Sequence, residues 1–247
     1  MALKIPAANS VEFLDENTST FFARKKILLN RGWLSTQTTD FSSALLEVTQ
    51  RREFQAGQSI FFEGDEMDGL DGIVSGWVGV YSSPTENPPV LIHFMGPGDW
   101  GGGGSVLSEE STRISSPVAR TDVKVAHISR KSLKILEAEF SDLRLRLMTL
   151  ASIYLDFFTV LYADNSGKDI DARTRAALRR LLGERFLPGC EFPGDPLEIP
   201  VTQDEIAELA HLSRNAVGPI LRKLEKAGAI SLGYRKITVL NRSLLNG

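Results

Sequence analysis

The chain of 247 residues contains a single cysteine, Cys190, and only three histidines, His93, His127 and His211. One cysteine excludes an internal disulfide and any iron–sulfur cluster that several cysteines of one chain would hold. We interpret each histidine as an ordinary strand or turn residue rather than a haem ligand. The sequence therefore predicts no metal, haem or iron–sulfur cofactor, and its cysteine usage fits a reducing cytoplasm.

Long apolar runs are also missing. No stretch approaches the roughly 20 residues that a membrane-spanning helix needs, and the first residues lack the basic-then-apolar order of a secretory signal. With 42% hydrophobic and 24% charged residues, the composition is typical of a soluble globular protein, and the length allows two domains. We expect a cytoplasmic protein without a membrane partner.

Catalytic motifs are missing as well. The sequence has no complete nucleophile–base motif, no H-E-x-x-H or C-x-x-C, and no lysine–serine pair after its glycine run "GGGG" (101–104) as a P-loop requires. These absences argue against an enzyme.

Positive charge is concentrated at the C-terminal end, although the net charge is −3. Residues 1–168 carry 16 basic and 21 acidic residues, whereas residues 213–247 carry seven basic residues and one acid. A basic patch beside an acidic body is typical of a nucleic-acid contact. A solvated basic face is the alternative, and charge alone does not decide between them.

The first 139 residues divide into an arm and a β-rich domain. Residues 1–39 are polar and irregular, and we interpret them as a partly ordered arm. The stretch "DFSSALLEVTQ" (40–50) predicts a helix with Asp40 as its cap. Short β-rich runs then arrive about every ten residues, which favours a sandwich or barrel. We therefore predict an N-terminal antiparallel β-roll, jelly-roll-like, over residues 40–139.

Residues 140–165 have the apolar spacing of one long helix, with Ser141 as a plausible cap. One stripe repeats at heptad spacing, and we assign it to dimerisation: Phe140, Leu143, Leu147, Leu150, Tyr154, Phe157 and Leu161. A second stripe adjoins it: Met148, Ala151, Leu155, Phe158 and Tyr162. Two stripes predict two partners, the chain's own β domain and the same helix of a second subunit. The alternative is one wide face inside a large monomer core.

Residues 170–247 predict a winged helix-turn-helix domain, so the whole chain is α+β. Thr202 and Glu205 have the spacing of a capping box. The first helix breaks at His211, and Ser213 caps a second, basic helix. The stretch "AISLGYRKITVL" (229–240) then alternates like a small hairpin, the wing.

The second helix presents Arg214 and Asn215 at its N-terminal end, where a recognition helix meets base edges. Arginine pairs with guanine and asparagine with adenine. The predicted DNA-binding residues are Thr202, Gln203, Ser213, Arg214, Asn215, Arg222, Arg235 and Lys236. A helical pair used only for packing is the alternative. Pro219 lies past the first turn, so we expect a kinked or loosened N-terminal half of this helix.

In this order of elements the chain resembles the Crp/Fnr family of bacterial transcription regulators. The resemblance runs from about residue 40 to 242. It rests on "F-x-x-G-x-x-I-x-x-x-G-D" from Phe54 to Asp65, "IVSGWVGV", "GPGDW", "VKVAHIS" and "LSRNAVGPILRKLE" taken together.

The resemblance implies a phosphate-binding cassette that begins at "GD" (98–99). Glycine amides and an arginine hold the cyclic phosphate there, and a glutamate holds the ribose hydroxyl. The possible effector-binding positions are Gly102, Gly103, Gly104, Arg113, Ile114, Phe158 and Thr159. Gly103 stands where the family has the glutamate, and Ile114 where it has a serine. Half of a cyclic-nucleotide site is thus present, and Arg113 is expected either to bind an anion or to pair with Glu109 or Glu110.

The sequence therefore predicts a homodimeric DNA-binding transcription regulator with a degenerate effector site. Its expected partners are double-stranded DNA with an inverted-repeat operator, a second copy of the chain, and RNA polymerase. The expected ligand is a cyclic nucleotide or another small anion, if any. Two alternatives stay open: a regulator that responds to cyclic AMP or cyclic GMP, and a scaffold that uses a cyclic-nucleotide domain without binding DNA.

Overall fold

The computed structural model describes residues 25–83, 88–102, 106, 108, 111–184 and 191–246. Most of the predicted arm, together with Gly103, Gly104, Glu109, Glu110 and Cys190, lies outside the described residues.

The described chain forms seven α-helices and ten β-strands, with two short 3-10 helices at Trp33–Thr36 and Arg242–Leu245. The helices are α1 (Lys26–Asn30), α2 (Thr39–Glu47), α3 (Arg130–Glu139), α4 (Leu143–Ser166), α5 (Ile170–Leu181), α6 (Gln203–Leu209) and α7 (Arg214–Lys226). The strands are β1 (Gln50–Phe54), β2 (Gly69–Ser75), β3 (Val78–Ser82), β4 (Val90–Met95), β5 (Trp100–Gly101), β6 (Ser116–Ala119), β7 (Val123–Ser129), β8 (Leu197–Ile199), β9 (Ile230–Gly233) and β10 (Lys236–Val239).

The N-terminal strands form two antiparallel sheets, in the orders β1-β7-β2-β5 and β4-β3-β6. Because side chains alternate across a strand, one face of the first sheet sends Ile73 and Val125 into the roll. Its other face sends Leu70 and Ile128 toward the helices. The predicted class, α+β with an antiparallel β-roll, a long helix and a C-terminal helix-turn-helix, is confirmed.

The last part of the predicted arm is not irregular. Leu28, Trp33 and Leu34 are at most 2% exposed and belong to the core that joins the β-roll to α4. Arg31 ties the same segment down, since its Nη1 donates to Asp99 Oδ1 at 2.8 Å. Residues 25–39 are therefore partly helical rather than irregular, and three large side chains of this polar stretch enter the core.

Helix α2 begins one residue before the predicted cap. Its N-cap residue is Thr38, which makes no side-chain capping bond, and Asp40 lies in the first turn. A carboxylate in the first turn faces the positive end of the helix dipole. The aspartate thus favours the helix from its first turn, two residues after the N-cap, rather than as the cap.

Helix α4 buries its heptad stripe against its own β-roll, not against a second subunit. Leu143, Leu147 and Leu150 are at most 2% exposed and Phe157 is 3% exposed within the single chain. Phe140, Tyr154 and Leu161 on the same stripe are half-buried. Within the protomer this stripe therefore holds the β-roll, and its assignment to dimerisation stays a prediction.

The second stripe of α4 faces solvent in the protomer. Met148 is 62% exposed, Leu155 68%, Phe158 40% and Tyr162 78%. The helix is capped at Asp142 without a side-chain bond, not at Ser141 as predicted. An apolar stripe of this length on one helix lacks a partner within the described part of the chain.

By length and composition, α4 is also apolar enough to cross a membrane, which corrects the expectation that no stretch comes near. It is the single such helix among the described residues, and the core helix of a soluble protein meets the same criterion.

The C-terminal domain has its own hydrophobic core. Helices α5, α6 and α7 pack on the three-stranded sheet β8-β10-β9, and Leu178, Ile206, Leu221 and Ile237 are at most 1% exposed there. Helix α7 runs without interruption through the exposed Pro219. The expectation of a kinked or loosened N-terminal half stays a prediction.

Candidate DNA-binding surface and effector cavity

The first helix of the C-terminal pair begins with the predicted capping box. The Glu205 amide donates to Thr202 Oγ1 at 3.2 Å, and the Thr202 amide donates to Glu205 Oε2 at 2.8 Å. The chain then turns at His211, which has a φ of 51°. Ser213 caps α7 by accepting a bond from the Ala216 amide at 3.3 Å. These bonds fix the angle between α6 and α7.

The N-terminal end of α7 is free to reach a ligand. The Arg214 side chain is 65% exposed, and its ion pair with Asp204 spans 3.2 Å at the surface, where such pairs are weak. Asn215 is exposed beside it, as are Ser213 and Arg222, while Thr202 and Gln203 are half-buried. The two side chains predicted to read bases therefore project from one exposed helix end.

The wing adds cations at the other side of α7. Arg235 has a φ of 55° in the turn between β9 and β10, and the adjacent Tyr234 is 90% exposed. Lys236 is exposed and pairs with Glu198 at 2.6 Å. Arg235 is exposed as well, so the wing tip presents positive charge to solvent.

A cavity of about 380 Å³ lies between the β-roll and α4. This is within the size range of small-molecule sites. Its described lining residues are Phe61, Met67, Val80, Ser82, Ile92, His93, Met95, Gly101, Gly102, Thr112, Arg113, Ile114, Ser115, Pro117, Ala151, Tyr154 and Phe158. The cavity brings together Gly102, Arg113, Ile114 and Phe158 as the sequence predicts. Thr159 is exposed outside it, and its hydroxyl donates to the Leu155 carbonyl at 2.8 Å.

Arg113 is buried at the wall of this cavity, where two aspartates hold it. Its Nη2 donates to Asp68 Oδ1 at 2.5 Å and to Asp71 Oδ2 at 3.2 Å. The guanidinium carbon lies 3.8 Å from the Phe61 ring centroid. The sequence-based alternative placed Arg113 beside Glu109 or Glu110. The described carboxylates that pair with Arg113 are instead those of Asp71 in β2 and of Asp68, the residue just before β2.

The aspartates belong to a larger charged cluster. His127 Nδ1 lies 2.8 Å from Asp71 Oδ1, and Arg52 Nη2 donates to Asp68 Oδ2 at 3.0 Å. Partial burial opposes ionisation of Asp68, but hydrogen bonds from Arg113 and Arg52 outweigh it and lower its pKa below the ordinary value. Carboxylate and imidazole ligand atoms here lie within 4.8 Å of one another. The Arg113 guanidinium already supplies the cation, so the cluster does not fit a metal.

Gly102 has a backbone reason to be glycine. Its φ is +117°, and a Cβ there would lie 2.7 Å from Leu70 Cδ2 and 2.9 Å from the Gly69 carbonyl. Side chains other than hydrogen are disfavoured on both counts. Ile114, next to Arg113, is 82% exposed at the cavity mouth.

Strand β4 forms a wall shared by the cavity and the C-terminal domain. Ile92 and His93 line the cavity, while Leu91 packs into the C-terminal core. The Leu91 amide donates to Glu208 Oε1 of α6 at 2.6 Å. Next to this bond, Arg120 Nη2 lies 2.6 Å from Glu205 Oε1. Strand β4 therefore connects the cavity wall to α6, the first helix of the helix-turn-helix.

His93 is the second polar group at the cavity wall. It is 8% exposed, and its ring lies 5.9 Å from Tyr154, 5.1 Å from Phe157 and 6.2 Å from Phe158 between centroids. Neither ring nitrogen has a hydrogen-bond partner among the described residues. Burial lowers the pKa of His93 to about 4, so the ring is neutral at pH 7.

Two family models match the parts that this geometry separates. Residues 51–139 match the cyclic nucleotide-binding domain, and residues 172–247 match the Crp-like helix-turn-helix domain. The chain belongs to the Crp/Fnr family of transcription regulators.

Curated relatives of this Crp/Fnr protein are cyclic-AMP-activated regulators. It is 25% identical over 187 residues to the cAMP-activated global transcriptional regulator CRP of Salmonella typhimurium, covering 76% of this chain and 88% of that protein. It is 28% identical over 199 residues to the CRP-like cAMP-activated global transcriptional regulator of Mycobacterium tuberculosis, covering 80% and 87%. These relatives are transcription regulators and not enzymes.

Solved structures share the fold. A putative cyclic nucleotide binding protein from Ruegeria pomeroyi has a TM-score of 0.66 at 16% identity, covering 91% of this chain and 96% of that one. FixK2 from Bradyrhizobium japonicum has a TM-score of 0.64 at 19% identity, covering 80% and 96%.

Sequence reasoning about this Crp/Fnr chain missed His93 as a cavity residue, and it missed Asp68 and Asp71 as the partners of Arg113 at the cavity wall. A signal existed for Asp71, because it is the one charged residue in the otherwise uncharged strand "GLDGIVS" (69–75). A lone acid in a buried strand predicts a buried partner. No comparable signal marks His93, since only packing against α4 removes its partners.

Proposed function

We propose that the chain is a homodimeric, sequence-specific DNA-binding regulator whose cyclic-nucleotide site is degenerate. The observation that carries the DNA-binding part is the exposed N-terminal end of α7, where Arg214 and Asn215 project beside a basic wing. We also expect a cytoplasmic location and a contact with RNA polymerase, as is typical of the family.

Dimerisation through α4 is supported by its exposed stripe of Met148, Leu155, Phe158 and Tyr162. A second copy of the same helix is the proposed occupant, because a self-complementary apolar stripe closes around a two-fold axis. Two recognition helices related by that axis fit an inverted repeat with half-sites about one helical turn apart.

Degeneracy of the effector site is supported by two departures from the family pattern. Gly103 replaces the carboxylate that holds the ribose hydroxyl in cyclic-nucleotide-binding members. Arg113, at the position of the phosphate-binding arginine, donates to Asp68 and Asp71 instead. The lost charged hydrogen bond alone weakens binding by about 1.5–3 kcal/mol, about tenfold to over a hundredfold.

The alternative is a regulator that responds to cyclic AMP or cyclic GMP. It is favoured by the names of the curated relatives, which are cAMP-activated. Calorimetric titration of the purified protein with each nucleotide separates the two: we expect no binding below tens of micromolar, and submicromolar binding would establish the alternative.

The DNA-binding proposal is tested by selecting operators from a randomised duplex library with the full-length chain. Arg214→Ala should cost about 1–3 kcal/mol on the selected operator and relax the preference at one base pair of each half-site. Lys236→Ala is the matched control, since a phosphate contact should weaken all sequences alike. Equal losses for Arg214→Ala on selected and random DNA would show that Arg214 does not read a base.

A further inference from the structure

The walls of the effector cavity are mostly apolar. Phe61, Val80, Ile92, Met95 and Phe158 line it from the β-roll and from α4. Among its described lining residues, Arg113 is the single arginine or lysine. The electrostatics of the cavity thus depend on what that one guanidinium is paired with.

Two aspartates already bind the Arg113 guanidinium through its Nη2, while its Nε has no partner among the described residues. Its side chain is 2% exposed, and it donates to Asp68 and to Asp71, whose own side chain is 4% exposed. An anion that took over the guanidinium would leave the buried Asp71 carboxylate with its His127 contact but without its arginine. Because removing one partner of a buried charge is costly, the paired arrangement disfavours an anionic ligand.

His93 offers the opposite situation, a polar group without a partner. The ring is neutral and therefore carries one N–H donor and one acceptor nitrogen, both without a partner among the described residues. A buried polar group in that state is unusual and is stabilised by any molecule that supplies a hydrogen bond. The Tyr154 and Phe158 rings lie beside it and suit an aromatic or alicyclic body.

We propose that this cavity binds an uncharged, largely apolar ring compound that carries one hydroxyl or amine group for His93, in place of a cyclic nucleotide. The proposal rests on the degenerate effector site proposed above and names the class of its ligand. Binding against Ile92 and His93 acts on α6 through the bond between the Leu91 amide and Glu208.

The test uses two fluorescent probes with the same ring skeleton on the full-length protein. Phenylnaphthylamine is uncharged and has one N–H group, and anilinonaphthalene sulfonate adds a negative charge. We expect saturable binding of one phenylnaphthylamine per chain, at least tenfold tighter than the sulfonate, and no displacement by equimolar cyclic AMP. Tighter binding of the sulfonate, or displacement by cyclic AMP, would overturn the proposal.

Two variants locate the site. His93→Phe keeps an aromatic ring, slightly larger than imidazole, but removes both nitrogens, and it should weaken phenylnaphthylamine about tenfold, the value of one neutral hydrogen bond. Ser152→Ala, on α4 but not among the described lining residues of the cavity, is the control and should change neither affinity. An unchanged affinity in folded His93→Phe would contradict the role of His93.

Asp68→Asn keeps the proposal testable if His93→Phe does not fold. The Asp68 side chain is 47% exposed, so the fold should survive. Loss of one carboxylate partner of Arg113 should raise the affinity for the sulfonate several-fold and leave the affinity for the uncharged probe unchanged. An unchanged affinity for the sulfonate would contradict the argument that the paired Arg113 disfavours anions. Binding to the selected operator is measured in parallel. Operator binding without probe binding would contradict this inference alone, whereas absence of operator binding would contradict the proposed function.

Discussion

Replacement of Leu155 by glutamate should convert the dimer into folded monomers. Leu155 is 68% exposed in the protomer, so a seam along α4 buries most of its side chain. Full burial of a leucine side chain contributes about 1.5–3 kcal/mol. A two-fold seam contains the residue twice, and each copy can bury only the 68% of its side chain that is exposed in the protomer. The loss of both copies therefore costs about 2–4 kcal/mol, and the dissociation constant of the dimer rises about 30- to 1,000-fold. Two carboxylates that face each other at the seam add repulsion.

Sedimentation equilibrium at micromolar concentration measures this change. Leu240→Glu is the matched control, because it is the same substitution at a 45% exposed leucine outside α4 and should leave the dimer intact. Leu147→Ala on the buried stripe should instead cost about 2–5 kcal/mol of folding stability. A dimeric Leu155→Glu, or a wild type that is monomeric under these conditions, would refute the assignment of the exposed stripe to the seam.

Three further outcomes follow from single contacts. The pKa of His93 is lowered to about 4, so the unfolded chain binds more protons than the folded chain between about pH 6.5 and 4. As the pH is lowered through this window, the free energy of unfolding should therefore fall by at most about 1.4 kcal/mol per pH unit. Denaturant titrations should show a shallower fall in His93→Phe than in the wild type, and an equal slope would contradict the buried neutral ring. Thr202→Ala removes the capping box and should lower stability by about 1 kcal/mol in thermal unfolding, whereas Ser231→Ala on the exposed wing should be neutral. Glu208→Ala removes the acceptor of the Leu91 amide, so it should change the affinity for the operator while leaving the affinity for the probe unchanged. An unaltered operator affinity would show that β4 does not act on the DNA-binding domain through this bond.

The surroundings of Arg113 show what a residue at a family motif position does not predict by itself, namely its charged partners. An arginine at the expected position predicts a phosphate site, and the residue does line the expected cavity. Its partners, however, come from Asp68 and Asp71, which lie about 45 residues earlier in the chain. Without a sheet register that sets Asp71 opposite His127, no local pattern reveals that the guanidinium is occupied.

Local patterns fixed the elements of this protein. The capping box at Thr202 and Glu205, the turn at His211 and the cap at Ser213 are interactions between residues at most three apart, so the sequence alone determined the helix-turn-helix. Likewise, the alternation of short strands and the apolar spacing of the long helix determined the α+β class, because each depends on the period of one element.

Only the tertiary structure decided which surface does what. Two adjoining apolar stripes on α4 look alike in sequence, and packing on the β-roll buries Leu147 while it leaves Leu155 exposed. The same packing buries His93, whose ring nitrogens have no hydrogen-bond partner among the described residues, and it brings Trp33 into the core. Such choices depend on contacts between residues far apart in the chain, and the energy of those contacts exists only once the elements have come together.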